Sequence, residues 1–223
     1  MADDYKAIWP IPVGQPSFEG DIPKIKRFLS GLYSLDKALA GPNDTPGIPL
    51  RGGVEVFGRW ETGKSTLGYY IAGRVPNTKK IVLIDLEGGA REDYLRSAVA
   101  QSGYSGIVYR IPFEHSGKIR THEEMLKEGA DALLEDGTNA LILDSAAMTQ
   151  PVPEREGDIE EAFMGRRAQV LAKFMRRAVA WINSSKEDKV LVVINHMLMN
   201  MQGFKISPGV DTMKFGIHAR LWI

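Results

Sequence analysis

The stretch Gly58-Arg59-Trp60-Glu61-Thr62-Gly63-Lys64-Ser65-Thr66 decides the reading of this chain, because it spaces two glycines, a lysine and a hydroxyl residue as a phosphate-binding loop does. Such a loop needs a strand before it and a helix after it, so that backbone N–H groups and the helix N-terminus converge on phosphate oxygens. Both flanks comply. Val54-Glu55-Val56-Phe57 alternates apolar and polar residues as a short strand does, and Thr66 to Gly73 continues at helical spacing until Pro76. Gly58 and Gly63 permit conformations and a close approach that a side chain would block. Lys64 supplies a point charge for the outer phosphates, and the Ser65 hydroxyl is placed to ligate a Mg²⁺ ion bridging them. A glycine-rich turn beside an ordinary surface lysine is the alternative, and it would not call for both flanks.

Working outward, 223 residues suit one domain of α/β type with room for a sizeable core. Hydrophobic residues make up 43% and charged residues 25%, which excludes a disordered or fibrous chain. Lysine plus arginine and aspartate plus glutamate both number 28, so any surface for a polyanion must be local. Cysteine is absent, which removes disulfides, thiolate catalysis and cysteine-held zinc and favours a reducing compartment, the cytoplasm by default. The acidic start Met1-Ala2-Asp3-Asp4-Tyr5 has no apolar run behind it, so no secretory leader is expected. Runs such as Val190-Leu191-Val192-Val193-Ile194 have the length of strands, far short of a membrane span.

Residues 1–29 hold Pro10, Pro12, Pro16 and Pro23 among the aromatics Trp9 and Phe18 and read as an extended arm, either draped on its own domain or docked on a neighbouring subunit. Residues 30–223 form the core. Ser34 is a candidate N-cap for a short helix over residues 34–39. Beyond the P-loop helix, a buried strand from Lys80 to Leu86, a helix from Arg91 to Gln101, a strand from Ile107 to Ile111 and a helix opening on the capping box Thr121-His122-Glu123-Glu124 follow in turn. Asn139 to Asp144 is the next strand, Glu161 to about Ser184 a long helix, Val190 to Ile194 a strand ending in Asn195-His196, and Lys214 to Ile223 a last strand. Alternation of strands and helices predicts a mostly parallel, twisted sheet with helices on both faces, binding ligands at the strands' carboxyl ends. Glu87, Asp144 and His196 all fall at such ends. Asp144, behind four apolar residues, has the form of a Walker B acid that holds Mg²⁺ directly or through water. Glu87 is a candidate general base toward an attacking water, or simply a loop carboxylate.

The ordered set Ser34-Leu35-Asp36, the P-loop, Ile84-Asp85-Leu86-Glu87, Leu143-Asp144-Ser145, Met164-Gly165 with Arg176, Ile194-Asn195-His196 and Met213-Lys214-Phe215 with Arg220 resembles the RecA-type strand-exchange recombinases over roughly residues 30–223. The resemblance implies a RecA-like P-loop ATPase core using ATP and Mg²⁺, with Glu87 as catalytic glutamate, Tyr94 stacked on adenine, and His196 as the γ-phosphate sensor where bacterial RecA has glutamine. Phage recombinases of the UvsX branch are similar in having asparagine-histidine there. It further implies single-stranded DNA as partner, contacted by the segments after Asp144 and after His196, with Arg155, Met164, Gly165, Arg176, Met199, Phe204, Lys205 and Lys214 as DNA-binding candidates. Met199 and Phe204 are apolar wedges and Lys205 a cation, types suited to slipping between bases and holding phosphate. For each basic residue a solvated helix face is the alternative.

Departures from the family pattern are visible as well. Arg91 stands where the family reads adenine with an aspartate; Glu154, Glu156, Asp158 and Glu160 make the first DNA segment acidic; and the chain ends at Leu221-Trp222-Ile223, where the family continues through strands bearing basic residues. If nothing follows, turnover stimulated in trans is expected to be weak. The expectation is therefore a DNA-dependent ATPase that forms homo-oligomeric helical filaments on single-stranded DNA for pairing and strand exchange, in the cytoplasm of a bacterial cell or phage-infected host. Rival readings are a non-exchanging mediator or annealing accessory with the same fold, and a KaiC-like hexameric ring acting on protein.

Overall fold

The computed structural model describes residues 25–40, 45–152, 165–199, 205–206 and 216–223. The strands are β1 (Arg27–Phe28), β2 (Ile48–Pro49), β3 (Gly52–Gly58), β4 (Lys80–Asp85), β5 (Ile107–Arg110), β6 (Glu114–His115), β7 (Lys118–Ile119), β8 (Thr138–Asp144), β9 (Val190–His196), β10 (Leu198–Met199), β11 (Lys205–Ile206) and β12 (Ile217–Trp222). The helices are α1 (Tyr33–Ala38), α2 (Lys64–Arg74), α3 (Glu92–Ala100), α4 (His122–Ala132) and α5 (Arg166–Ser184).

Continuous apolar runs at β4, β8 and β9 bury both faces of each strand, the pattern of a central parallel sheet. Six strands pair in the order β12-β3-β9-β8-β4-β5, every pair parallel. Side chains alternate across it. Ile81, Leu83, Ala140, Ile142, Val190 and Val192 meet α2 and α3 on one face, whereas Val82, Ile84, Leu141, Leu143, Leu191 and Val193 meet α4 and α5 on the other. Topology explains the segregation. The chain runs outward from β3 to β4 and β5 through α2 and α3, then returns to β8 and β9 through α4 and α5, and crossovers of one hand moving in opposite directions fall on opposite faces.

The predicted mostly parallel sheet with helices on both faces is therefore observed. The capping box is too: the Thr121 hydroxyl accepts from Glu124 N and the Glu124 carboxylate from Thr121 N. Two local expectations are corrected. Ser34 is not an N-cap; α1 starts at Tyr33 behind Leu32, and the stretch before it is fixed by Asp36, whose carboxylate accepts from Ser30 N at 2.8 Å, Ser30 Oγ at 2.8 Å and Gly31 N at 3.1 Å. Nor does the described long helix begin at Glu161, because Gly165, at φ +83°, is the left-handed N-cap of α5. The hairpin β6–β7 and the pairing β10–β11 were not expected from sequence, their strands being two residues long and polar or isolated. Residues 1–24 of the arm lie outside the described residues. Among the described residues no helix is long and apolar enough to cross a membrane.

Ile142, fully buried between β4 and β9 on the α2 face, tests how much the central strands carry. Ile142→Ala is expected to lower unfolding free energy by about 2–5 kcal/mol, read from the urea midpoint.

Candidate active site

The strand ends are placed by register. Gly58 lies opposite His196, Asp144 opposite Ile194, and Asp85 opposite Asp144, so the start of the P-loop and the ends of three further strands share one edge. Gly63 sits at φ +86° as the N-cap of α2, a conformation that turns the chain into the helix and leaves its first N–H groups facing outward. Gly58 is needed for closeness: a Cβ there would lie 2.1 Å from the Ile223 carbonyl oxygen, which β12 brings alongside. Within the loop Thr62 Oγ1 donates to the Arg59 carbonyl at 3.0 Å, Glu61 takes φ +59°, and the Lys64 ammonium donates to the Arg59 carbonyl.

Three predicted residues converge beyond the loop. The Glu87 Oε1 atom accepts from Ser145 Oγ at 2.7 Å and is bonded to His196 Nε2 at 2.6 Å. With Glu87 ionised, His196 Nε2 is the donor. The His196 ring is buried, and its Nδ1 atom has no partner among the described residues. Trp60 of the P-loop stacks on that ring, centroids 4.0 Å apart at 22°. Asp144 accepts from the Tyr69 hydroxyl at 2.7 Å and from Ser65, and the Asp144–Ser145 peptide is cis. Tyr94, on α3, bonds through its hydroxyl to Thr66 of the P-loop helix and keeps an exposed ring.

Electrostatics follow from that crowding. Burial pushes the Lys64 ammonium down, opposed by the charges of Glu87 and Asp144. Burial would raise Glu87, but the hydrogen bonds from Ser145 and His196 and the nearby Lys64 charge outweigh it and hold the carboxylate below its usual range. Asp144 goes the other way. Its burial outweighs the hydrogen bonds from Tyr69 and Ser65 and, with repulsion from Glu87, pushes it up to about 6.

The donors fit a nucleoside triphosphate with Mg²⁺. Lys64 and the α2 N-terminus offer charge and N–H groups to phosphate, and Ser65 and Asp144 offer two oxygens. Among the described residues no group of three or more His, Cys, Asp or Glu side chains gathers to hold a metal alone.

Of the residues named for DNA, Gly165 and Arg176 are exposed on α5, at its start and on its surface. Met199 and Lys205 are placed by their backbone as a pair between β10 and β11. Arg155, Met164, Phe204 and Lys214 lie outside the described residues. Sequence reasoning missed Tyr69 and the partners of Glu55. The Glu55 carboxylate is buried in β3, accepting from Asn195 Nδ2 at 2.9 Å and Arg220 Nε at 2.5 Å, which ties β9 to β12. A lone acid inside an otherwise apolar strand was the available signal.

Sheet, P-loop and strand-end acids together define an α/β P-loop nucleotide-binding core with a RecA-like arrangement. The family profile of the RecA N-terminal domain matches residues 18–221, and the chain belongs to this family. Protein RecA of Mannheimia haemolytica is 27% identical over 203 residues, covering 88% of this chain and 51% of that protein. Protein RecA of Geobacter metallireducens is 25% identical over 205 residues, covering 90% and 56%, and that of Nitrobacter winogradskyi 29% over 198 residues, covering 86% and 50%. The chain thus spans about half the length of the curated relatives it matches.

Asp144 gives a test of the site's energetics. Because the folded state keeps its proton up to about pH 6 and a carboxyl freed by unfolding loses it near 3.8, the cost to stability is absent below that lower value and complete above the higher. Asp144→Asn, whose amide oxygen still accepts from Tyr69, should therefore melt above wild type at about pH 7.5 in chelator. The gap should close between about pH 6 and 4, followed by thermal melts at each pH.

Proposed function

We propose that this chain is the ATP-hydrolysing, single-stranded-DNA-binding core of a strand-exchange recombinase that works as a homo-oligomeric helical filament in the cytoplasm. The observation that carries the reading is the Glu87 carboxylate joined at once to Ser145 and to His196 beside the P-loop. It couples a general base to a residue able to register what occupies the phosphate site.

In this reading Lys64 leaves the Arg59 carbonyl for the β- and γ-phosphates, and the exposed Tyr94 ring stacks on adenine. Ser65 and Asp144 hold Mg²⁺, which when bound supplies charge neutralisation across the same phosphates. Glu87, kept ionised by its hydrogen bonds, takes a proton from the water that attacks the γ-phosphorus, giving ADP and phosphate. His196 and Lys64 contact a γ-phosphate that ADP lacks, so ATP favours one state of the His196 strand and ADP does not. That strand leads directly into the segment bearing Met199, Phe204 and Lys205, which with Arg155, Met164, Gly165, Arg176 and Lys214 is proposed to face DNA. A differential affinity of a few kcal/mol suffices for the switch, since about 1.4 kcal/mol is tenfold. Residues 1–29 are proposed as an extended arm whose end, β1, pairs with β2 of its own chain and whose earlier part either drapes on the same domain or docks on the next subunit, and residues 30–223 as the ATPase core.

A second reading, a non-exchanging mediator or annealing accessory, is favoured by the acids Glu154, Glu156, Asp158 and Glu160 in the first DNA segment. Joint-molecule formation between homologous DNAs with ATP present separates the two.

Lys64→Ala is expected to abolish nucleotide binding and ATP-dependent retention of single-stranded DNA. Glu87→Gln should bind ATP yet lose about 100-fold or more in turnover, because removing a general base costs about 10²–10⁴ in rate. Hydrolysis is measured with and without single-stranded DNA. DNA retention that still depends on ATP in Lys64→Ala, or wild-type turnover in Glu87→Gln, would refute the assignment.

A further inference from the structure

We propose that Asp85 and Arg110 are positioning residues for Glu87, fixing the backbone from which the base projects; the inference rests on the reading of Glu87 as general base. Asp85 ends β4, and its side chain is 2% exposed. Its Oδ1 atom accepts from Glu87 N at 3.2 Å and Gly88 N at 2.8 Å. Its Oδ2 atom accepts from Ala90 N at 3.1 Å and from Arg110 Nη2 at 2.6 Å. An ionised carboxylate has about four acceptor sites, and all are spent here. Three go to the turn between β4 and α3, and the fourth to a guanidinium on the neighbouring strand, where Leu83 of β4 pairs with Arg110 of β5.

Glu87 is thereby held at both ends. Ser145 and His196 grip its carboxylate, while the Asp85 carboxylate accepts from the Glu87 backbone N–H and from those of Gly88 and Ala90. The second grip matters because the Glu87 side chain is 30% exposed, so packing alone does not locate it. A general base must lie within about 2.6–3.2 Å of the proton it takes. Displacement by about 1 Å can cost about 100-fold in rate. Arg110 is the part of the anchor that can be altered without opening the core. Its side chain is 39% exposed, yet among the described residues it supplies the one full positive charge on a carboxylate that is otherwise buried against amide dipoles. Without it the turn is free to admit water and loosen.

The test uses the full chain carrying Arg110→Met, Arg110→Lys or Glu87→Gln. In Arg110→Met, kcat for ATP hydrolysis should fall by about 10-fold or more while KM for ATP stays within about twofold, and Arg110→Lys should recover most of the loss. A readout independent of turnover accompanies it: amide hydrogen exchange at residues 87, 88 and 90 should quicken by about 10-fold in Arg110→Met, with the amides of β8 unchanged. Wild-type kcat, unchanged exchange at the turn, or a loss in which kcat and KM move together with no rescue by lysine would each overturn the proposal. Full turnover in Glu87→Gln would instead remove the general-base reading itself. An inactive Glu87→Gln beside a normal Arg110→Met would leave that reading standing and sink only this inference.

Discussion

The parallel pairing of β3, β9, β8 and β4 sets the spacing of every group in the site. Because all of these strands run the same way, their last residues arrive at one edge, and the register brings Gly58 level with His196 and Asp85 level with Asp144. An antiparallel neighbour anywhere in this set would have carried one of the groups to the opposite edge. Such a sheet is buried on both faces, which is why β4, β8 and β9 carry the continuous apolar runs Ile81 to Ile84, Ala140 to Leu143 and Val190 to Ile194 before their polar ends.

Concentrating polar groups at that edge has an electrostatic consequence. Asp85, Asp144 and Lys64 are all buried, and desolvation raises Asp144 and lowers Lys64. Glu87, less buried, escapes the same fate because the hydrogen bonds from Ser145 and His196 and the nearby positive charge of Lys64 outweigh its burial. With two side-chain donors each, the two acids shift in opposite directions because Asp144 is more deeply buried and faces the carboxylates of Glu87 and Asp85, whereas Glu87 faces the charges of His196 and Lys64. Glu55 repeats the theme away from the phosphates, its buried charge compensated from β9 and β12 at once.

Much of this was legible in order along the chain. Two-faced apolar runs named the central strands, and the glycine spacing with Lys64 and Ser65 named the loop. Strand-terminal position singled out Glu87, Asp144 and His196, and the structure brings all three beside the loop. The start of α1 was misplaced because Ser34 has the right chemistry for a cap, whereas the bonds that fix this turn come from Asp36, a residue inside the helix. Short pairings such as β6–β7 left no periodic trace, since two residues cannot show one.

The sequence by itself determined the parallel α/β core and the identity of the phosphate loop and its acids, because periodicity and residue type are local properties. Only the tertiary structure decided who touches whom across strands. Tyr69 donates to Asp144 over 75 positions, His196 meets Glu87 over 109, and Arg110 reaches Asp85 from the next strand. Such contacts follow from register and side-chain direction, quantities fixed when the sheet assembles. Trp60 makes the point most plainly. In the sequence it is one variable position of a phosphate loop, and in the fold it is the ring that lies on His196.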